Sequence, residues 1–423
     1  MNNRIKIEQK KFDNILFFLL GLFSTMQIVT VFNVTLFLVI SYITLIYMLI
    51  TCKKVQIRDH IIVIYLATIV FSFVLNFCMS TLTSGYQIKS IMALINVIVI
   101  ILIYIMSNND RKKTMSFIKG FEWSCKIQLM WCVLQIVCNF FFDKDINNLI
   151  FNQILRMTEN ITQSREGKWV CTGLHWHAAN LIPIIVYTYI FSKSLFFKIV
   201  SVIIVLFTQN TTSLLAIGLC IAADIFVIVC KVLKTRVKKI ASMKLLFLLC
   251  AIFLFLCVMN KLWPYALNKI EQVVYRFTAL SGNLKGGEGD VGVSSLTHLN
   301  YYILIPDIIM NNNFINALFG YGLECSGYIY SKMYGQYVGS VWVIESDIVN
   351  TLLNVGIIGF VIYYWIIYRI FFVVKANKNK NKYRLFIVVI LLSGITYNIQ
   401  FNWTFLLILM LYGLAQIDRK VNI

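Results

Sequence analysis

Glu345 and Asp347 stand two residues apart in "VWVIESDIVNTLLNVGIIGF" (Val341–Phe360), and no charged side chain follows from Ile348 to Tyr368. Acids at the lip of an apolar segment suit two kinds of work. One is helix capping, in which the carboxylate meets the free N–H groups of the first turn and gains about 0.3–1 kcal/mol from the macrodipole. The other is general-base catalysis, for which partial burial raises the carboxyl pKa usefully. Asp347 has the better claim to the cap and Glu345 to the base.

Other residues able to do chemistry gather in the same polar segments. "CTGLHWHAANLIP" (Cys171–Pro183) carries His175 and His177 on either side of Trp176. The imidazoles either face a membrane-surface cavity, binding phosphate or shuttling a proton, or sit in an interfacial belt of amphipathic rings. No third ligand has metal-site spacing, so no metal is expected. Arg156, Arg165, Arg276 and His298 complete the basic set. The triplet Asp143–Asp145 is either a metal-holding Asp-x-Asp or a solvated loop, and solvation is the reading favoured. Glu122 and Lys126 lie four apart, on one helix face, as a structural pair or a lysine reaching for the interface.

The elements that must position these groups are apolar. Of the 423 residues 59% are hydrophobic and 13% charged, and the mean hydropathy is +0.78. Soluble domains carry about 25% charge. Continuous apolar runs without alternation exclude a β-barrel and predict an all-α polytopic membrane protein. The predicted spans are 13–31, 33–51, 60–78, 88–107, 120–142, 173–191, 195–209, 211–230, 244–262, 347–369, 384–399 and 402–417, about twelve helices in one membrane domain, 1–423. No cleavable signal peptide is expected, because the first run lacks a small-residue cleavage site.

With the N-terminus inside, 27 of the 38 lysines and arginines fall in inner loops, 10 in outer ones, and Lys126 within a span. The positive-inside rule then places both termini in the cytoplasm. That distribution, in short runs between apolar segments, argues against nucleic acid despite the net charge of +20. Two outer segments are too long for turns: 143–172 and 263–346, the latter between spans 9 and 10 and rich in aromatics such as Tyr301 and Tyr302. Most of the eleven cysteines serve as small hydrophobes, and no CxxC occurs. Cys171 and Cys325 fall in outer loops, and whether they pair stays open.

The layout resembles the bacterial O-antigen and capsular polysaccharide polymerases and the related O-antigen ligases. The resemblance rests on a large outer loop holding "NALFGYGLECSGY" (Asn316–Tyr328), with Gly320 and Gly322, then "ESDIVNTLLNVGIIGF", with Gly356 and Gly359. It implies a GT-C-like fold in the bacterial cytoplasmic membrane. Polyprenyl-diphosphate-linked oligosaccharides would be donor and acceptor, a chain-length regulator a further partner, and no cofactor or metal would be needed. In this implied site Glu345, Asp347 or His298 acts on the acceptor proton. Arg276, Arg165, Arg156, His175 and His177 hold the diphosphate, and outer-loop aromatics such as Tyr301 stack on sugar faces. Ligases carry a histidine in the polar cluster, where this chain has Glu345, Ser346 and Asp347, so a polymerase is preferred. Two other readings remain. A lipid-linked oligosaccharide flippase would want more intramembrane charge and smaller outer loops. A transferase using polyprenyl-monophosphate sugars would want an acid in the first outer loop, which has none.

Overall fold

A computed structural model describes residues 2–31, 34–51, 59–79, 84–107, 110–155, 164–165, 168–208, 210–234, 302, 305, 309, 313–334, 344, 346–373, 380–397 and 402–421. Glu345, Arg276, Arg156, His298, Tyr301 and the expected span 244–262 lie outside them.

The described chain is all-α apart from two two-stranded hairpins. Its helices are α1 (Asn2–Leu22), α2 (Leu36–Thr51), α3 (His60–Cys78), α4 (Ser84–Ser107), α5 (Arg111–Phe142), α6 (Ile182–Phe191), α7 (Leu195–Phe207), α8 (Thr211–Lys234), α9 (Phe314–Phe319), α10 (Ser326–Tyr334), α11 (Asp347–Val373), α12 (Lys380–Thr396) and α13 (Asn402–Val421). Among the described residues four helices are, by length and composition, long and apolar enough to cross a membrane, α3, α4, α5 and the Asp347–Arg369 part of α11, and five shorter apolar helices accompany them.

Hydrophobicity on all sides of these helices has two destinations. Residues Trp403–Leu414 of α13 are buried without exception, as are Ile182–Thr188 of α6, which makes these two helices the centre of the bundle. On the periphery, Ile43, Ile46 and Ile50 of α2 and Phe71 and Val74 of α3 are exposed at helical spacing, as a lipid-facing stripe requires. Helices α1 and α5 touch backbone to backbone at two glycines. A Cβ on Gly21 would lie 2.1 Å from Phe117 O, and one on Gly120 2.0 Å from Phe18 O. Small residues at such crossings let helices approach closely where lipid leaves packing as the main attraction.

Several boundaries differ from the sequence expectation, each for a local reason. The first helix runs from Asn2 to Leu22 rather than 13–31. Beyond it Ser24 Oγ donates to Gly21 O (2.7 Å), and the chain turns into the Thr30–Val31/Val34–Thr35 hairpin. Helix α5 begins at Arg111, not 120, because Asp110 caps it, its carboxylate accepting from Lys112 N (2.8 Å) and Lys113 N (3.4 Å). Residues 173–177 are not helical. Their backbone is held by α5 side chains instead: Gly173 N donates to Gln135 Oε1 (2.8 Å) and Leu174 N to Gln128 Oε1 (2.9 Å). The 3-10 turn Ala178–Leu181 then leads into α6.

The largest departure is in α11. At Gly356 the backbone leaves helical geometry (φ 65°, ψ −174°). Asp347 lines one cavity with Tyr363 and Tyr364. A straight helix would separate Asp347 and Tyr363 by about 24 Å, so the chain bends sharply at Gly356. The expected span 347–369 is therefore two helical arms.

Candidate functional site

The bend is locked by the segment just before α10. Gly320 and Gly356 face each other so closely that a Cβ on Gly320 would lie 2.5 Å from Asn354 O, and one on Gly356 2.4 Å from Leu318 O. Both have positive φ (75° and 65°), so any side chain would add strain to the clash. Tyr321 N donates to Leu353 O (2.8 Å) and Gly322 N to Asn354 O (2.9 Å), which satisfies the carbonyls that the break in α11 leaves without helical partners. Asn76 of α3 donates to Gly320 O (2.8 Å) and accepts from Asn316 Nδ2 (2.8 Å). The two glycine motifs, more than thirty residues apart in sequence, are thus one structural unit.

Around this unit runs a buried polar network. Ser326 Oγ donates to Asn350 Oδ1 (2.6 Å), which also accepts from Asn354 Nδ2 (3.0 Å), and Ile344 N donates to Ser326 Oγ (3.1 Å). The Tyr302 hydroxyl donates to Ile395 O and shares a 2.8 Å bond with Ser346 Oγ. Asn354 Oδ1 is buried without a hydrogen-bond partner among the described residues. An unpaired buried amide oxygen costs about 1–3 kcal/mol.

At the edge of the network the expected roles change hands. Ser346, not Asp347, caps α11: its hydroxyl accepts from Val349 N (3.5 Å) and its carbonyl from Asn350 N (2.8 Å). Asp347 is the first helical residue, only 5% exposed, with its carboxylate packed against Gly394, where a Cβ would come within 2.6 Å of Oδ2. Beyond it lies a cavity walled by Tyr363, Tyr364, Phe386, Ile390, Thr404 and Phe405 from the second arm of α11, α12 and α13. Thr404 Oγ1 is buried there with no partner among the described residues. The arrangement is one carboxylate bordering a space whose other walls are apolar side chains, two tyrosines and the Thr404 hydroxyl. The premise that gave Glu345 the better claim to the base, Asp347 being the cap, does not hold.

The histidine pair separates. His177 is exposed at the start of the 3-10 turn. His175 is fully buried, its ring 6.2 Å from that of Trp403, and neither nitrogen has a hydrogen-bond partner among the described residues. Burial pushes its imidazole down to about 3, so it is neutral at ordinary pH and offers no charge to a diphosphate. Arg165 pairs through its backbone with Lys168 in the hairpin Ser164–Arg165/Lys168–Trp169. Asp143 takes a left-handed conformation (φ 50°) that ends α5. Asp145 accepts from Trp169 Nε1 (3.0 Å) and Asn147 N (2.8 Å), anchoring the following loop. Cys171 and Cys325 are both free and buried. Lys126 Nζ lies 4.9 Å from the ring centroid of Trp123 on its own helix.

Sequence reasoning named Tyr302 only as a loop aromatic, and missed Ser346 as the cap, Asn350, and Asn76 from a distant helix. Only the spacing of Ser346 to Val349 carried a usable signal, that of an N-cap to its third residue. No protein-family model matches the chain, and no curated protein is significantly similar to it.

Proposed function

We propose that the protein is a membrane glycosyltransferase that polymerises polyprenyl-diphosphate-linked oligosaccharide repeat units into a surface polysaccharide. The observation that carries this reading is Asp347, a buried acid at the start of α11 that lines a tyrosine-walled cavity while Ser346 supplies the helix cap. In the proposed reaction the Asp347 carboxylate takes the proton of an acceptor sugar hydroxyl. The hydroxyl oxygen forms a bond to the donor's anomeric carbon as the bond from that carbon to the diphosphate breaks, and the electron pair leaves on the diphosphate. Fixed cations stabilise such a leaving group without a metal. Arg276, Arg165 and Arg156 are the proposed source, since bidentate guanidinium suits a diphosphate. The apolar walls would receive the first units of the lipid.

On this reading the chain crosses the bacterial cytoplasmic membrane about twelve times in a GT-C-like arrangement. Both termini are cytoplasmic, and Asp347 lies towards the outer face. The test is a pair of substitutions in the producing bacterium. Asp347→Asn should abolish polymer while single lipid-linked repeat units still reach the outer leaflet. Ser346→Ala should keep polymer. Loss of the outer-leaflet repeat unit in Asp347→Asn would favour a flippase instead, and normal polymer would remove Asp347 from the chemistry.

A further inference from the structure

Glu324, in the loop between α9 and α10, stands with side chains of α4 and α10 in a second group that the proposed reaction does not use. Glu324 adopts φ 59°, a left-handed conformation that costs a non-glycine residue about 1–3 kcal/mol and persists where the surroundings impose it. The constraint is visible on both sides. Gly322 N is bonded to Asn354 O, and Ser326 Oγ is bonded to Asn350. The strained residue is therefore a rigid extension of the glycine unit that carries the bend of α11. Its side chain is exposed.

Opposite it, on the first turns of α4, stand Tyr86 and Lys89. The rings of Tyr86 and Tyr328 are stacked, with centroids 4.1 Å apart and planes 28° apart. Lys89 Nζ is 5.9 Å from the Tyr86 centroid and within electrostatic reach of Glu324. Tyr86, Lys89 and Tyr328 are all half-buried, so each keeps an open side. An apolar aromatic face flanked by one acid and one base matches a particular ligand. A pyranose ring offers a C–H face to stack on and hydroxyls that both accept and donate. A phosphate-rich ligand would meet Glu324 as a like charge.

We propose that Tyr86, Lys89, Glu324 and Tyr328 form a saccharide-binding subsite for the acceptor glycan, rigidly coupled to Asp347 through the Gly320–Gly356 contact. This deepens the polymerase reading and rests on it. The probe is the free repeat-unit oligosaccharide, released by mild acid from the producing bacterium's own lipid-linked pool. Its binding to the purified full chain in nanodiscs is followed by saturation-transfer NMR. The wild type should bind. Tyr86→Leu and Glu324→Gln should each weaken binding about tenfold or more, as expected for one charge-assisted hydrogen bond or one stacking face. Tyr86→Phe should keep it, because the ring remains, and Asp347→Asn should keep it too. If Tyr86→Leu fails to fold, Glu324→Gln and Lys89→Gln carry the test. No binding to the wild type, or undiminished binding by the folded variants, would overturn the subsite. Neither result touches the polymerase reading, which stands or falls on whether Asp347→Asn makes polymer.

Discussion

Aspartates open helices at both ends of the bundle, with opposite surroundings. At one end Asp110 caps α5, and Asp59, next to α3, receives the hydroxyls of Tyr104 (3.0 Å) and Tyr412 (3.3 Å). Nearby Asp13 is paired with Lys113 (2.9 Å) and accepts from Tyr47 (2.8 Å). At the other end Asp347 begins α11, but a serine has taken the cap and Asp347 lines a cavity. A buried acid closed in by donors is a fastener. Asp347 instead lines a cavity together with Tyr363, Tyr364 and Thr404. Asp59 and Asp110 precede their helices by one residue and Asp347 is the first residue of its own, so a small shift in helix position goes with a large change of surroundings.

The comparison is sharpest when the same substitution is made at both ends. Asp347→Asn should lower polymer per folded protein about 10²–10⁴-fold, the range of a lost general base. Asp59→Asn should leave polymer per folded protein unchanged. Quantified ladders normalised to membrane-inserted protein would show it, and equal losses at the two sites would erase the distinction. Next in size is the bend. Gly356→Ala puts a methyl within 2.4 Å of the Leu318 carbonyl at a positive φ, so folded yield should collapse, with strain alone contributing about 1–3 kcal/mol. Normal yield and melting temperature would show that the Gly320–Gly356 contact is loose.

Asp59→Ala removes the acceptor of two buried tyrosine hydroxyls. It should destabilise by about 1–3 kcal/mol for each hydroxyl left unsatisfied, read as a lower melting temperature in detergent. His175 sets a pH dependence of similar size. Its folded pKa of about 3 lies below the unfolded value. The unfolded chain therefore binds the extra proton as pH falls below about 6.5, and stability falls with it. Between pH 7.5 and 5 the loss should be about 2 kcal/mol, and His175→Leu should flatten that slope. An equal pH slope in the variant would place the titrating group elsewhere. The smallest effect belongs to Ser346→Ala, about 0.5–2 kcal/mol for a lost cap, with activity kept.

Much of the fold was legible because lipid simplifies the code: continuous apolar runs predict helices, and eleven of the twelve expected spans overlap a described helix, and the twelfth, 244–262, lies outside the described residues. What the runs hide is interruption. Residues 173–177 read as span, but Gln128 and Gln135 draw their backbone groups away from helical bonding. Gly356 reads as one more small residue in a transmembrane helix, but the contact that bends the chain there comes from Gly320, outside that helix. The candidate site was legible as a place, the acid cluster opening α11, and not as an assignment of roles. Choosing between cap and base depends on which hydroxyl reaches Val349 N, a matter of angstroms that spacing alone leaves open. His175 misled for a related reason, because a histidine in an apolar context reads the same whether it faces a cavity or the core.

The most direct measurement uses the purified chain in proteoliposomes, supplied with the lipid-linked repeat unit of the producing bacterium as both donor and acceptor. The wild type should convert two such molecules into one doubled glycan on a single lipid and one free polyprenyl diphosphate. Asp59→Asn should do so in proportion to its folded fraction, and Asp347→Asn should not. Condensation by Asp347→Asn at the wild-type rate would remove Asp347 from the chemistry, and a folded wild type that releases no polyprenyl diphosphate would rule out the polymerase.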